Sequence, residues 1–151
     1  MKKAISACLA GVNCRYNKTS YLNKEYEADK ETFLLICPEV SAGLSIPRQP
    51  MEIVGKIKTN AYDDLVKQQI KVINKDGQDY SQAFIAGAQI ILKQILDNNI
   101  KEVILKDNSP SCGVNYIYDG TFSNRKISKP GVLTSLLIKN EIKVRVGDDN
   151  L

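Results

Sequence analysis

Four cysteines and no histidine set the chemistry open to this chain of 151 residues. Cys8 and Cys14 bracket "CLAGVNC", Cys37 opens "CPEV" and Cys112 closes "SPSC". Thiolates are soft ligands for zinc, copper(I) and iron–sulfur clusters, and without a metal they serve as nucleophiles or redox pairs. One cysteine alone needs no such role, because free Cys packs as a small buried hydrophobe. Three of these, however, each end an apolar run beside turn residues ("CLAG", "CPE", "SPSCG"), a poor use of sulfur if only packing is wanted. A structural zinc site takes four ligands and often uses Cys-x-x-Cys or paired histidines; neither occurs here, although Cys14 would complete a scattered set of four thiolates. Three thiolates without histidine suit an iron–sulfur cluster with one iron left open, and a Cys8–Cys14 redox pair lacks the familiar spacing.

The elements that must position these residues follow from periodicity. "KAISACL", "TFLLICPEV" and "KEVILKDNSP" are short apolar runs closed by Gly or Pro turns and read as buried strands. "DYSQAFIAGAQIILKQILDNN" repeats Phe84, Ala88, Ile91, Leu92 and Ile95 at helical spacing, with Asp79 and Gln82 as a capping pair. "MEIV" and "IKVIN" read as a hairpin or irregular excursion around the polar "KTNAYDDLVKQQ", and "NKDGQ" as the turn into the helix. "KPGVLTSLLIKN" reads as a second helix starting at Pro130, and "IKVRV" as a closing strand. Alternating strands and helices predict an α/β fold with a mostly parallel sheet, whose strand carboxyl ends share one edge. Cys8, Cys37 and Cys112 then converge on the edge where such sheets bind ligands, while Cys14 is carried outward.

Composition sets the outer limits. A chain that is 43% hydrophobic, with no shift in composition, is expected to form one domain over residues 1–151. The 21 basic against 17 acidic residues are scattered, which does not make a nucleic-acid footprint. "MKKAISACLAGVNC" imitates a signal peptide but is broken by Ser6, Gly11 and Asn13, so it reads as a mature strand. No apolar run is long enough to span a bilayer, and a soluble cytoplasmic protein with reduced thiols is expected.

"SACLAGVNCRYN", "CPEVSAGLSIPRQPMEIV", "LKDNSPSCG" and "IYDGTFS" resemble, in order and nearly end to end, the domain of unknown function 523 family, which includes thiouracil desulfidases of the TudS type. The resemblance implies a Rossmann-like three-layer fold with the cluster site at the carboxyl ends of the strands. It implies a [4Fe-4S] cluster held by Cys8, Cys37 and Cys112, with Cys14 outside the ligand set. The implied reaction removes sulfur from a thiolated pyrimidine such as 2-thiouracil without net redox chemistry, releasing sulfide and the oxo product as a hydrolase or lyase. The implied partner is thus a small thiolated nucleobase or nucleotide. Where relatives read "RYDG", this chain has Arg15, Tyr16, Asn17 and Lys18. Sulfur transfer to an acceptor, or a cysteine-metal or nucleotide-binding module on the same fold, are the alternatives.

Water aimed at the thiocarbonyl carbon needs a proton acceptor, and without histidine a carboxylate is the natural group. Glu39, two residues past Cys37, is placed by the "CPE" motif for that task; its plain alternative is a solvated loop acid. Ser109 matches the family's second catalytic position, against a simple turn-forming serine before Pro110. Asp107, Asn108 and Ser111 share its loop and, with Arg15 and Arg48, are candidates for substrate binding, although lone arginines are usually surface charge. Glu52 and Asp119 are motif residues with no role assigned by sequence.

Overall fold

The computed structural model describes residues 3–10, 12 and 32–147. Its centre is a four-stranded sheet in which β1 (Lys3–Ser6) lies between β2 (Phe33–Ile36) and β5 (Glu102–Lys106), with β8 (Lys143–Gly147) on the far side of β5. All three pairings are parallel, as the alternation of strands and helices predicts. The register places Ile5 beside Leu35 on one side and Ile104 on the other, and Ala4 beside Leu34 and Val103. Successive residues face opposite sides of a strand, so these two rows feed two different cores. Ala4, Ile36, Val103 and Leu105 join the larger core; Ile5, Ile104 and Leu9 join the smaller, with Phe33 and Leu35 packed against it. Burial on both faces is what near-continuous apolar strands require of a parallel sheet.

Two helices build the larger core. The helix α3 (Ser81–Asp97) buries Phe84, Ala88, Ile91 and Ile95 of the stripe expected from its periodicity, while Leu92 is half-buried at its edge. Ile91 and Ile95, both fully buried, each contribute about 1.5–3 kcal/mol. The helix α4 (Val132–Lys139) adds Val132, Leu133, Leu136 and Leu137. A short helix α1 (Pro38–Ser41) lies against α3 at Gly87, where a Cβ would collide with the Pro38 carbonyl. That close approach fixes the segment carrying Cys37.

The hairpin reading of "MEIV" and "IKVIN" matches an antiparallel pair, β3 (Met51–Val54) and β4 (Lys71–Asn74). The polar stretch between them contains a helix, α2 (Ala61–Val66), whose N-cap Asn60 accepts from Asp63 N at 2.9 Å. A two-stranded hairpin of β6 (Ile117–Tyr118) and β7 (Lys126–Ile127) completes the described elements. The start of α3 corrects the expected Asp79–Gln82 capping pair: Tyr80 is the N-cap, without a side-chain cap bond. Asp79 Oδ1 instead accepts from Ser81 N at 2.8 Å, and Ser81 Oγ accepts from Val72 N on β4 at 3.0 Å. A tertiary bond to the hairpin takes the place of the local box. Among the described residues, no helix is long and apolar enough to cross a membrane.

Candidate active site

The carboxyl ends of β1, β2 and β5 each hand the chain to a cysteine-bearing segment. After β1, residues Ala7–Ala10 form one buried turn of 3-10 helix that contains Cys8. After β2, Cys37 sits in extended conformation as the N-cap of α1, with Pro38 at the first helical position, where its missing N–H costs no hydrogen bond. After β5, a loop leads to Cys112. The three thiols line one cavity of about 360 Å³, in the size range of small-molecule sites, and Glu39, Arg48, Asp107, Asn108 and Ser109 line it too. Ser111 is buried and does not line it, although its hydroxyl touches that of Ser109. Cys14 and Arg15 lie outside the described residues.

The loop to Cys112 is held by a dense hydrogen-bond net. Asp107 Oδ1 accepts from the backbone N–H groups of Asn108, Val114, Asn115 and Tyr116 at 3.0–3.1 Å. Ser109 Oγ accepts from Ser111 N at 3.1 Å and Cys112 N at 3.2 Å, and lies 2.9 Å from Ser111 Oγ. The carbonyls of Pro110 and Ser111 accept from Val132 N and Leu133 N at 2.8 and 2.9 Å, so the loop satisfies the open N-terminus of α4. Gly131 permits that contact, since a Cβ there would sit 2.6 Å from the Pro110 oxygen and 2.7 Å from the Ser111 oxygen. Asp107 and Ser109 are therefore loop organisers as well as cavity residues, a double duty that their sequence neighbourhood did not reveal.

Burial pushes the Cys112 thiol up to about 12, and negative charge on Cys37 and Glu39 acts in the same direction, against hydrogen bonds from Ser111 and Ser6. The Ser111 hydroxyl lies 3.6 Å from the sulfur. Such a thiol becomes a thiolate only with a cation in place. Among the described residues no group of three His, Cys, Asp or Glu side chains is arranged to hold a single metal ion. Three cysteines on one cavity, with no histidine in the chain, are a thiolate-only donor set of the kind iron–sulfur clusters take.

Glu39 is paired: Arg48 Nη2 lies 3.2 Å from its Oε2, with the arginine side chain only 7% exposed. Arg48 Nη1 also donates to the Ser45 carbonyl at 3.2 Å. The structure thus joins two residues to which sequence reasoning gave separate tasks, a carboxylate for proton transfer and an arginine for substrate. It also gives the two unassigned motif residues definite contacts. Glu52 Oε1 accepts from Gly120 N at 2.9 Å and Phe122 N at 3.2 Å, and Asp119 Oδ1 accepts from Thr121 N and Oγ1, which holds its carboxyl below the usual range. Lys75, Lys106, Tyr118, Phe122 and Asn124 are wall residues that no sequence argument reached. The motifs "IYDGTFS", with Tyr118 and Phe122, and "LKDNSPSCG", with Lys106, were the available signals for three of them.

The family model for 2-thiouracil desulfurase matches residues 4–149. The chain belongs to the 2-thiouracil desulfurase family. It is similar to the uncharacterised protein YbbK of Bacillus subtilis (strain 168), at 37% identity over 135 residues that cover 88% of this chain and 87% of the relative. Its fold is similar to that of a solved [4Fe-4S]-dependent thiouracil desulfidase, TudS, with a TM-score of 0.82 and 32% identity over 99% of this chain and 93% of the other. The resemblance carried by the four sequence motifs is thereby borne out at the level of family and fold.

Proposed function

We propose that this desulfurase-family protein is a [4Fe-4S]-dependent desulfidase that exchanges the thiocarbonyl sulfur of a thiolated pyrimidine for oxygen. The observation that carries the reading is the meeting of Cys8, Cys37 and Cys112 in one cavity with Glu39 and Ser109. These three cysteines would hold the cluster, and the donor set fits it: thiolates only, one fewer than the irons. When bound, the cluster supplies a thiophilic Lewis acid at the iron that has no protein ligand.

The chain's own residues do the rest. Glu39 takes a proton from the water that attacks the thiocarbonyl carbon, and Arg48 fixes the direction of its carboxylate. Ser109, held in its loop by two backbone N–H groups, hydrogen-bonds the pyrimidine ring nitrogen and steadies charge there. Asn108 shares the cavity wall and helps orient the ring; Asp107 and Ser111 hold the loop that presents both. The balance is closed by water alone: the C=S bond breaks, a C=O bond forms, and sulfur leaves as hydrogen sulfide with both protons from water. No oxidant or reductant is consumed.

Protein reconstituted without oxygen should release sulfide and the oxo pyrimidine in equal amounts from 2-thiouracil or 4-thiouracil with no electron donor present. Absence of sulfide from every thiolated pyrimidine tried, or a requirement for a reductant, overturns the proposal.

A further inference from the structure

Another part of the cavity wall combines a buried carboxylate with strained backbone. Glu52, on β3, is only 9% exposed, yet its Oε1 reaches across to accept from Gly120 N and Phe122 N in the segment joining β6 to β7. Phe122 and Asn124 in that segment have φ of 56° and 63°, the left-handed region. Asparagine tolerates it; for a bulky phenylalanine it is an outlier that its surroundings must enforce. Gly120, at φ 91°, lies so close to β3 that a Cβ would collide with the Ile53 carbonyl. The Asp119–Thr121 bonds and the Asp119 N to Arg125 carbonyl bond at 2.9 Å close the same segment. The result is a half-buried Phe122 ring in the wall of the cavity that the three cysteines line. Tyr118 lines it too, but Lys126 Nζ stands 5.8 Å from the centroid of its ring.

Strain held by a buried clamp at a cavity wall is a cost without return if the ring merely fills space. We infer that Phe122 is the platform on which the pyrimidine ring of the substrate stacks, and that Glu52 is the residue that positions it. A flat π-face is what every thiolated pyrimidine shares, whatever its sulfur position, and aromatic stacking recognises that face without reading its edges. The inference deepens the proposed desulfidase function and rests on it for the identity of the ligand.

The test uses the cluster-loaded protein. Phe122→Ala should raise KM for 2-thiouracil, and weaken binding of the product-class ligand uracil measured by equilibrium dialysis, each on the order of tenfold. Its kcat should stay within about threefold and its iron content should not change. Phe122→Tyr, which keeps the aromatic face, should recover most of the uracil affinity that Phe122→Ala loses. Glu52→Ala should reproduce the KM and affinity defects, whereas Glu52→Gln, which keeps an oxygen for the two N–H groups, should restore them; a purely structural role would lower Tm alone. If Phe122→Ala leaves both KM and uracil affinity unchanged, the platform is refuted whatever the Glu52 variants do. If the wild type releases no sulfide but still binds uracil through Phe122, the desulfidase reading fails and the platform stands.

Discussion

The segments after β2 and β5 each bring a cysteine and a polar side chain to the same cavity, by different physical means. Past β2, a Pro-initiated helix of four residues presents Cys37 and Glu39, and the carboxylate is aimed by an ion pair with Arg48, nine positions along the same stretch. Past β5, Cys112 and Ser109 ride on a loop whose shape is set by Asp107, by Ser109 itself and by the N-terminus of α4. One arm is thus adjusted by a single charge pair, and the other is fixed by a network in which each bond supports its neighbours. Damage to the first should change chemistry while leaving the protein intact; damage to the second should cost the site as a whole.

Asp107→Ala is the harshest test of that contrast, because it strips one acceptor from four N–H groups. It should lower the unfolding free energy by about 2–4 kcal/mol in urea titration and abolish iron binding. A stability loss within about 0.5 kcal/mol would mean that the loop is held by other contacts. On the opposite arm, Glu39→Gln should reduce turnover by roughly 10² to 10⁴ with iron content and Tm unchanged. If the iron is lost instead, Glu39 belongs to the scaffold and the two arms do not differ as described. Arg48→Lys keeps the charge but not the planar fork, and should slow turnover by about tenfold through a misdirected Glu39. Ser111→Ala should have the smallest effect: loss of the hydroxyl beside the Cys112 sulfur should move the cluster's reduction potential to a more negative value, read by redox titration, with about 1 kcal/mol of stability lost. An unchanged potential would remove Ser111 from the surroundings of that thiolate.

The first arm was far more legible in the sequence than the second. Cys37, Pro38 and Glu39 are adjacent, and an apolar run ending in Cys-Pro announces a strand closing into a turn or helix. The three-strand convergence was legible for the same reason, since parallel topology puts strand ends on one edge whatever the loops do. What sequence could not supply were contacts between distant positions. Glu52 finds Gly120 and Phe122 only because β3 and the β6–β7 hairpin are brought together in the fold. The Ser81 hydroxyl leaves the helix start for Val72, so the capping pair read from Asp79 and Gln82 does not form. Asp107 read as a substrate-binding candidate because its loop function is a matter of four backbone N–H groups, which no side-chain pattern records.

Cys8, Cys37 and Cys112 are proposed to hold one [4Fe-4S] cluster together, with Cys14 playing no part. The most direct test of this assignment is the iron content and visible spectrum of four single Cys→Ala variants reconstituted without oxygen. Cys14→Ala should keep about four irons per chain and a wild-type spectrum, and each of the other three should lose the intact cluster. A full cluster in Cys8→Ala, Cys37→Ala or Cys112→Ala, or its loss in Cys14→Ala alone, would contradict it.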